Sequence, residues 1–288
     1  MGVNAGALYR LMRGLASMGI FAEQDPGYFT LTPLGACLQS DVPGSMRGIA
    51  IMGGGEYYQS WGNFLYSIQT GKSAFEDLHG MSLFQYYAEN PELRKMYDEA
   101  QKSGSRAAKG EIIKSYNFSG ISKLVDIGGG NGSLIASILI ANPTMQGILF
   151  EQPSVIAEAK DLIEAEKVKE RCELVAGDFF DSVPSGGDAY ILRYIIHNWD
   201  DERAIAILKN CHRAMVENGK LLVIEQMIPP GNEPFLGKLL DLHMLVLFPG
   251  GCERTENEYR ALFEASGFKL TNIFPTGANV SVIEATRV

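Results

Sequence analysis

From Lys123 to the C-terminus, short apolar runs alternate with amphipathic segments, and this alternation restricts the fold more than any other feature of the chain. The apolar runs fall at residues 123–127, 147–150, 173–175, 189–192, 221–225, 270–274 and 280–285, with helical spacing between most of them, as at 134–141 and 204–215. Short apolar strands that alternate with amphipathic helices are expected to be covered on both faces. They imply an α/β fold with a parallel sheet covered by helices on either side.

The first hundred residues read differently. Ala7, Leu8, Leu11, Leu15 and Met18 form one helical stripe, which Gly19 ends. Residues 21–23 and 28–32 flank the turn sequence Gln24-Asp25-Pro26-Gly27, so a small hairpin follows the helix. Helix then hairpin is the outline of a winged helix. Nothing in the sequence precedes the helix to cover its stripe, so a leading segment is expected. Further apolar residues at helical spacing run from Tyr57 to Ile68 and from Leu93 to Ala100, and a helix over about 103–116 leads into the second half. The expected division is a helical region over 1–105 and an α/β domain over 106–288.

The stretch Leu124-Val125-Asp126-Ile127-Gly128-Gly129-Gly130-Asn131-Gly132-Ser133 joins a strand to a helix through clustered glycines. Glycine lets the backbone bend sharply and approach a ligand closely, and the helix N-terminus adds free N–H groups and partial positive charge. A dinucleotide loop needs a third glycine where Ser133 or, in the other register, Ile135 stands. The arrangement instead resembles D-x-G-x-G-x-G, motif I of the class I methyltransferases. Glu151 and Asp178 each follow the next apolar runs, at the ends of strands where open α/β sheets bind ligands. A carboxylate at Glu151 can accept from ribose hydroxyls. Asp178 can accept from an adenine amino group, with Phe179 against the ring.

Beyond the fourth run lies Ile195-Ile196-His197-Asn198-Trp199-Asp200-Asp201-Glu202. The three acids suit the start of a helix, and no second ligand cluster accompanies them as a metal site would require. The motifs VDIGGGNG, FEQPSVI, GDFF, LRYIIHNWDDE, NGKLLVIEQMIP and PGGCERT, in this order, resemble the plant and bacterial small-molecule O-methyltransferases, the family of caffeate, flavonoid, acetylserotonin and polyketide-tailoring enzymes. LFQYYAENPELRKMYDEA resembles that family's dimerisation and substrate region, so the resemblance covers nearly the whole chain.

The resemblance implies a Rossmann-like domain with a seven-stranded, mostly parallel sheet, preceded by a helical winged-helix region. The implied cofactor is S-adenosylmethionine, converted to S-adenosylhomocysteine, with no metal. It implies His197 as the base, flanked by Glu225 and Glu253. It implies Asp126, Gly128, Gly130, Glu151, Asp178, Phe179 and Arg193 toward the cofactor, and Trp61, Leu93, Tyr97, Met244 and Phe248 toward a small aromatic acceptor. A homodimer acting in the cytoplasm in secondary metabolism is expected. Many members carry Asp where Asn198 stands and Lys where Arg193 stands, and they usually carry a further N-terminal helical segment.

The chemistry agrees. A phenol with a pKa of about 10 is mostly protonated at neutral pH, and a histidine of about 6.5 can accept its proton as a methyl group arrives. A carboxylate on the other ring nitrogen fixes the tautomer and favours the imidazolium. The sequence leaves open whether Glu225 or Glu253 does this, and whether oxygen, nitrogen or carbon is methylated. A relative that binds the cofactor for another reaction would not need this histidine and its two acids. His79, His212 and His243 read as packed or surface residues.

Composition excludes other classes. The net charge is −9, which disfavours nucleic acid and anionic membranes. The first helix offers only Arg10 and Arg13, too little for a DNA-reading face. Cys37, Cys172, Cys211 and Cys252 are scattered without CxxC pairing and read as reduced thiols. There is no signal peptide pattern and no apolar stretch of membrane-spanning length.

Overall fold

The computed structural model describes residues 2–40, 42 and 44–288. Before the sheet the elements are α1 (Ala5–Ser17), β1 (Phe21–Asp25), β2 (Tyr28–Leu31), α2 (Pro33–Ala36), α3 (Arg47–Gly54), α4 (Glu56–Gly62), α5 (Phe64–Thr70), α6 (Ala74–His79), α7 (Leu83–Glu89) and α8 (Pro91–Ser115). The chain forms two compact units, Met1–Tyr58 with Tyr87–Ala107, and Gln59–Tyr86 with Ala108–Val288. Residues 59–86 group with the sheet.

In the smaller unit, α1 begins at Asn4, whose side chain accepts from the Ala7 N–H at 3.0 Å as an N-cap. β1 and β2 pair antiparallel, with Phe21 opposite Leu31. Asp25 pairs with Tyr28, so the turn is tighter than the tetrapeptide suggested. The runs expected at 93–100 and 103–116 are one helix, α8, which carries Ser and Gly in its interior. Tyr87 donates to buried Glu56 at 2.8 Å, and its ring lies 5.0 Å from that of Tyr97.

In the larger unit, the run expected at 57–68 breaks at Asn63, whose amide donates to Asp77 at 2.9 Å. The sheet and its helices follow: β3 (Lys123–Ile127), α9 (Ser133–Ala141), β4 (Gln146–Glu151), α10 (Pro153–Ala165), β5 (Cys172–Ala176), β6 (Ala189–Arg193), α11 (Asp201–Ala214), β7 (Lys220–Glu225), β8 (Met227–Ile228), α12 (Leu236–Leu247), β9 (Arg254–Thr255), α13 (Glu256–Ala265), β10 (Phe268–Pro275) and β11 (Ser281–Arg287). The seven-stranded order is β10-β11-β7-β6-β3-β4-β5, and only β11 runs antiparallel to its neighbours.

Side chains alternate between the two faces with the strand period. Leu124, Leu149, Ile191 and Leu222 pack beneath α9 and α10. Val125, Ile148, Tyr190, Leu192 and Val223 pack against α11 and α13. Chain order reverses at β3: its crossover leads to β4 on one side, while the chain later returns to β6 on the other. Such a switch point opens a crevice at the C-terminal ends of the strands. The loops after β3 and β6 meet there.

Buried Glu284 ties the antiparallel edge together. It accepts from Tyr116 (2.7 Å), Lys220 (2.8 Å), Thr271 (2.9 Å) and Asn272 (2.8 Å). Burial would push its carboxyl up, but these bonds hold it down at about 2.

Candidate active site

The turn after β3 is made of backbone. Gly128, Gly130 and Gly132 adopt φ of +65°, +59° and +76°, a region that side chains avoid. A Cβ on Gly128 would lie 2.5 Å from Ile195 Cδ1 and 3.8 Å from Phe179. The Gly130 N–H donates to Glu151 Oε2 at 3.0 Å, so Glu151 is bound to the loop and is not a loose surface acid. Asp178 accepts from the Phe180 N–H at 2.8 Å. Buried Asn210 on α11 donates to the carbonyls of Phe179 (2.7 Å) and Phe180 (2.9 Å), fixing that loop from below. Sequence reasoning missed Asn210. Its only signal is a polar residue on the face of α11 that buries Ala204, Ile207 and Cys211.

These residues suit an adenosyl cofactor. The loop backbone is bare, carboxylates stand at the ends of β4 and beyond β5, and Asp126 is buried beneath the loop with no hydrogen-bond partner among the described residues. Burial raises its carboxyl to about 7, against the pull of Arg193.

The turn after β6 is made of side chains. Tyr194 takes φ of +55°, unusual for a residue with a side chain, and turns the strand into a short 3-10 helix carrying His197. Glu225, wholly buried at the end of β7, accepts from the N–H groups of Ile195 and His197 at 3.1 Å each, and from the Tyr259 hydroxyl. Glu253 takes the ring: its Oε1 lies 2.8 Å from His197 Nδ1. The acid that orients the imidazole is therefore Glu253, while Glu225 holds the backbone beneath it. With a carboxylate at Nδ1, the neutral ring carries its hydrogen there and leaves the lone pair on Nε2.

Further bonds fix the segment bearing Glu253. The Cys252 N–H donates to the His197 carbonyl at 2.9 Å, and the Glu253 N–H donates to Asp241 on α12 at 2.9 Å. Buried Arg254 donates to the carbonyls of Ile196 (3.2 Å) and Trp199 (2.9 Å) and pairs with Asp201 at 2.8 Å. The His197 side chain is 13% exposed and that of Glu253 1%. Burial disfavours charge on the imidazole, but the bond to Glu253 and the charges of Glu225 and Glu253 prevail and hold its pKa above the ordinary histidine value.

Of the residues expected toward the acceptor, Met244 and Phe248 are buried at the end of α12, with Phe84 5.6 Å from Phe248. Trp61 donates from its indole to His243 Nδ1 on the same helix at 3.0 Å. Burial lowers the His243 pKa to about 4, so the ring is neutral. Leu93 and Tyr97 belong to the smaller unit. Among the described residues no group of His, Cys, Asp or Glu is arranged to hold a metal ion, and no helix is long and apolar enough to cross a membrane.

The sequence profile of the O-methyltransferase domain family matches residues 61–269. The chain is 46% identical over 284 residues to phenazine O-methyltransferase PhzM of Lysobacter antibioticus, covering 99% of this chain and 83% of that protein. The crystal structure of LaPhzM superposes with a TM-score of 0.94 at 46% identity, over all of this chain and 86% of the other. An O-methyltransferase of neocarzinostatin biosynthesis, solved in complex with S-adenosylmethionine and 2-hydroxy-5-methyl naphthoic acid, superposes with a TM-score of 0.88 at 29% identity, over all of this chain and 86% of that one. Fold, glycine turn and profile agree: the chain belongs to the O-methyltransferase domain family and is an S-adenosylmethionine-dependent O-methyltransferase.

Proposed function

We propose that this enzyme methylates a hydroxyl of a small aromatic secondary metabolite, with His197 as the general base. The observation that carries the proposal is the 2.8 Å contact between His197 Nδ1 and buried Glu253, which leaves Nε2 as the ring's proton acceptor. Bound S-adenosylmethionine supplies a methyl group activated by its sulfonium. Asp126, Gly128, Gly130, Glu151, Asp178, Phe179 and Arg193 would hold that cofactor. Trp61, Met244 and Phe248 would hold the acceptor.

The role of the protein is then to position the acceptor and to receive a proton. The acceptor hydroxyl gives its proton to Nε2 as its oxygen takes the methyl group. Glu253 stabilises the imidazolium that forms. The aromatic class of acceptor is supported by the relatives, which act on phenazine and bind a naphthoic acid. The family resemblance also supports a homodimer, which light scattering of the full chain would test.

Incubation with S-adenosylmethionine and a panel of hydroxylated phenazines, naphthoic acids and simple phenols, followed by mass spectrometry and NMR, is expected to give a product with one added O-methyl. Methylation only at nitrogen or carbon, or of none of the panel, would overturn the proposal.

A further inference from the structure

Tyr259, on the first turn of α13, is wholly buried, and its hydroxyl bonds Glu225 Oε2. The other oxygen of Glu225 accepts from the N–H groups of Ile195 and His197 at 3.1 Å each. An ionised carboxylate only accepts, so the phenol is the donor. Burial and the adjacent carboxylate push the phenol pKa well above its ordinary value, so it stays a donor through the neutral range.

The segment that bears Tyr259 is fixed at its start. Thr255 caps α13 in a reciprocal box with Glu258, whose carboxylate accepts from the Thr255 N–H at 2.7 Å. One turn on, the Phe263 ring lies 5.9 Å from that of Tyr259. Residues 253–259 thus bring three groups to the turn after β6: the acid on the His197 ring, the guanidinium of Arg254 and the hydroxyl on Glu225.

The two acids are held differently. Glu253 Oε1 meets His197 Nδ1, and its Oε2 has no partner among the described residues. Both oxygens of Glu225 accept hydrogen bonds, and it bonds the backbone of His197. A buried carboxylate keeps its charge only where donors replace water. Burial pushes the Glu225 carboxyl up, as does Glu253, while the imidazole, the Tyr259 hydroxyl and the His197 N–H pull it back down. The groups facing it are His197 and Tyr194 from the turn after β6, Glu253 and Arg254 at β9, and Tyr259 from α13. Arg254 spends its hydrogen bonds on Asp201 and on two carbonyls.

We propose that Tyr259 is a positioning residue for the base: its hydroxyl keeps Glu225 ionised, and that fixed negative charge strengthens His197 as a proton acceptor. The inference rests on His197 being the base and adds what sets its strength. Without the hydroxyl, Oε2 has no donor, and burial favours the protonated carboxyl. The charge facing His197 is then lost, and the imidazolium formed as the methyl group moves is less stable.

Tyr259→Phe removes one oxygen and keeps the ring. Its pH–rate profile is expected to show a midpoint lower by about one pH unit, the loss of one neighbouring charge. The plateau kcat is expected to fall by up to about tenfold, as for a base weakened by that amount. KM for the acceptor and the dissociation constant for S-adenosylhomocysteine should stay at their wild-type values. Glu225→Gln is expected to give a similar shift, and the double variant no further one. A further shift in the double variant, equal to that of Tyr259→Phe alone, would show that the hydroxyl acts by another route and would overturn the inference.

The ring pKa of His197, read by NMR of histidine-labelled protein, separates this inference from the reading it rests on. An unmoved ring pKa in Tyr259→Phe overturns the link from Tyr259 to the base. A lowered ring pKa with an unmoved rate profile leaves that link standing and overturns His197 as the base. If Tyr259→Phe does not fold, carboxyl NMR of the wild type decides, with the Glu225 signal assigned by its loss in Glu225→Gln. A carboxylate signal at neutral pH supports the inference, and a protonated acid overturns it.

Discussion

The two turns at the crevice, one after β3 and one after β6, solve different problems with different materials. The first presents backbone: three glycines at positive φ, with the Gly130 N–H held by Glu151. The second presents one side chain, and everything around it restrains that ring: Tyr194 bends the chain, Glu225 holds the backbone and Glu253 holds the imidazole. A ligand-cradling turn depends on what is absent, namely Cβ atoms. A proton-transfer turn depends on partners brought from distant strands. The two should fail separately.

The largest separation comes from His197→Ala. Base catalysis contributes about 10²–10⁴-fold, so kcat is expected to fall within that range while the dissociation constant for S-adenosylhomocysteine changes little. Calorimetry and steady-state rates on the same preparation check this. A parallel loss of cofactor affinity would show that the two turns are one mechanical unit.

Glu253→Gln addresses the second turn alone. The active form of His197 is neutral, so the rate should rise with pH through a midpoint above that of an ordinary histidine, because Glu253 and Glu225 outweigh burial. Removing the Glu253 charge withdraws part of what opposes burial, and the midpoint should move to lower pH. A kcat loss of roughly tenfold or more should accompany it, as the imidazolium loses its counter-charge. A pH–rate profile measured in both proteins reads the shift, and an unmoved or raised midpoint would contradict the pairing seen at Nδ1.

Gly128→Ala is the converse and the smallest of the three in its effect on chemistry. The added Cβ meets Ile195 at a residue already at positive φ, so about 1–3 kcal/mol of strain is expected. Cofactor affinity should weaken and the melting temperature should drop by several degrees. The pH midpoint of the rate should stay where it is in wild type.

The two turns were also unequally legible. The glycine turn is local: strand, glycines and helix are contiguous from Leu124 to Leu134, and their backbone consequences follow from residue type. The strands of the sheet were legible for the same reason, since each carries a short local run of apolar residues. The surroundings of His197 are not local. Its ring partner stands on a loop before β9, and Glu225, with a similar side chain, stands at the end of β7. Only three-dimensional placement separates the acid that bonds the ring from the one that bonds the backbone. Asn210 and Tyr259 were invisible because a single polar atom on an apolar helix face leaves no periodic trace. The break at Asn63 and the continuity of α8 were misread because helical spacing alone marks neither a one-residue interruption nor a polar stretch within a longer helix.

Arg254 has a consequence of its own. With its guanidinium on the carbonyls of residues 196 and 199 and on Asp201, and with the neighbouring Cys252 N–H on the carbonyl of His197, the base and its acid are riveted to each other through the main chain. Any breathing of the crevice carries imidazole and carboxylate together. The basicity of the ring is thereby set by a carboxylate fixed to the same stretch of backbone, so a substitution at Arg254 would disturb proton transfer without touching either group.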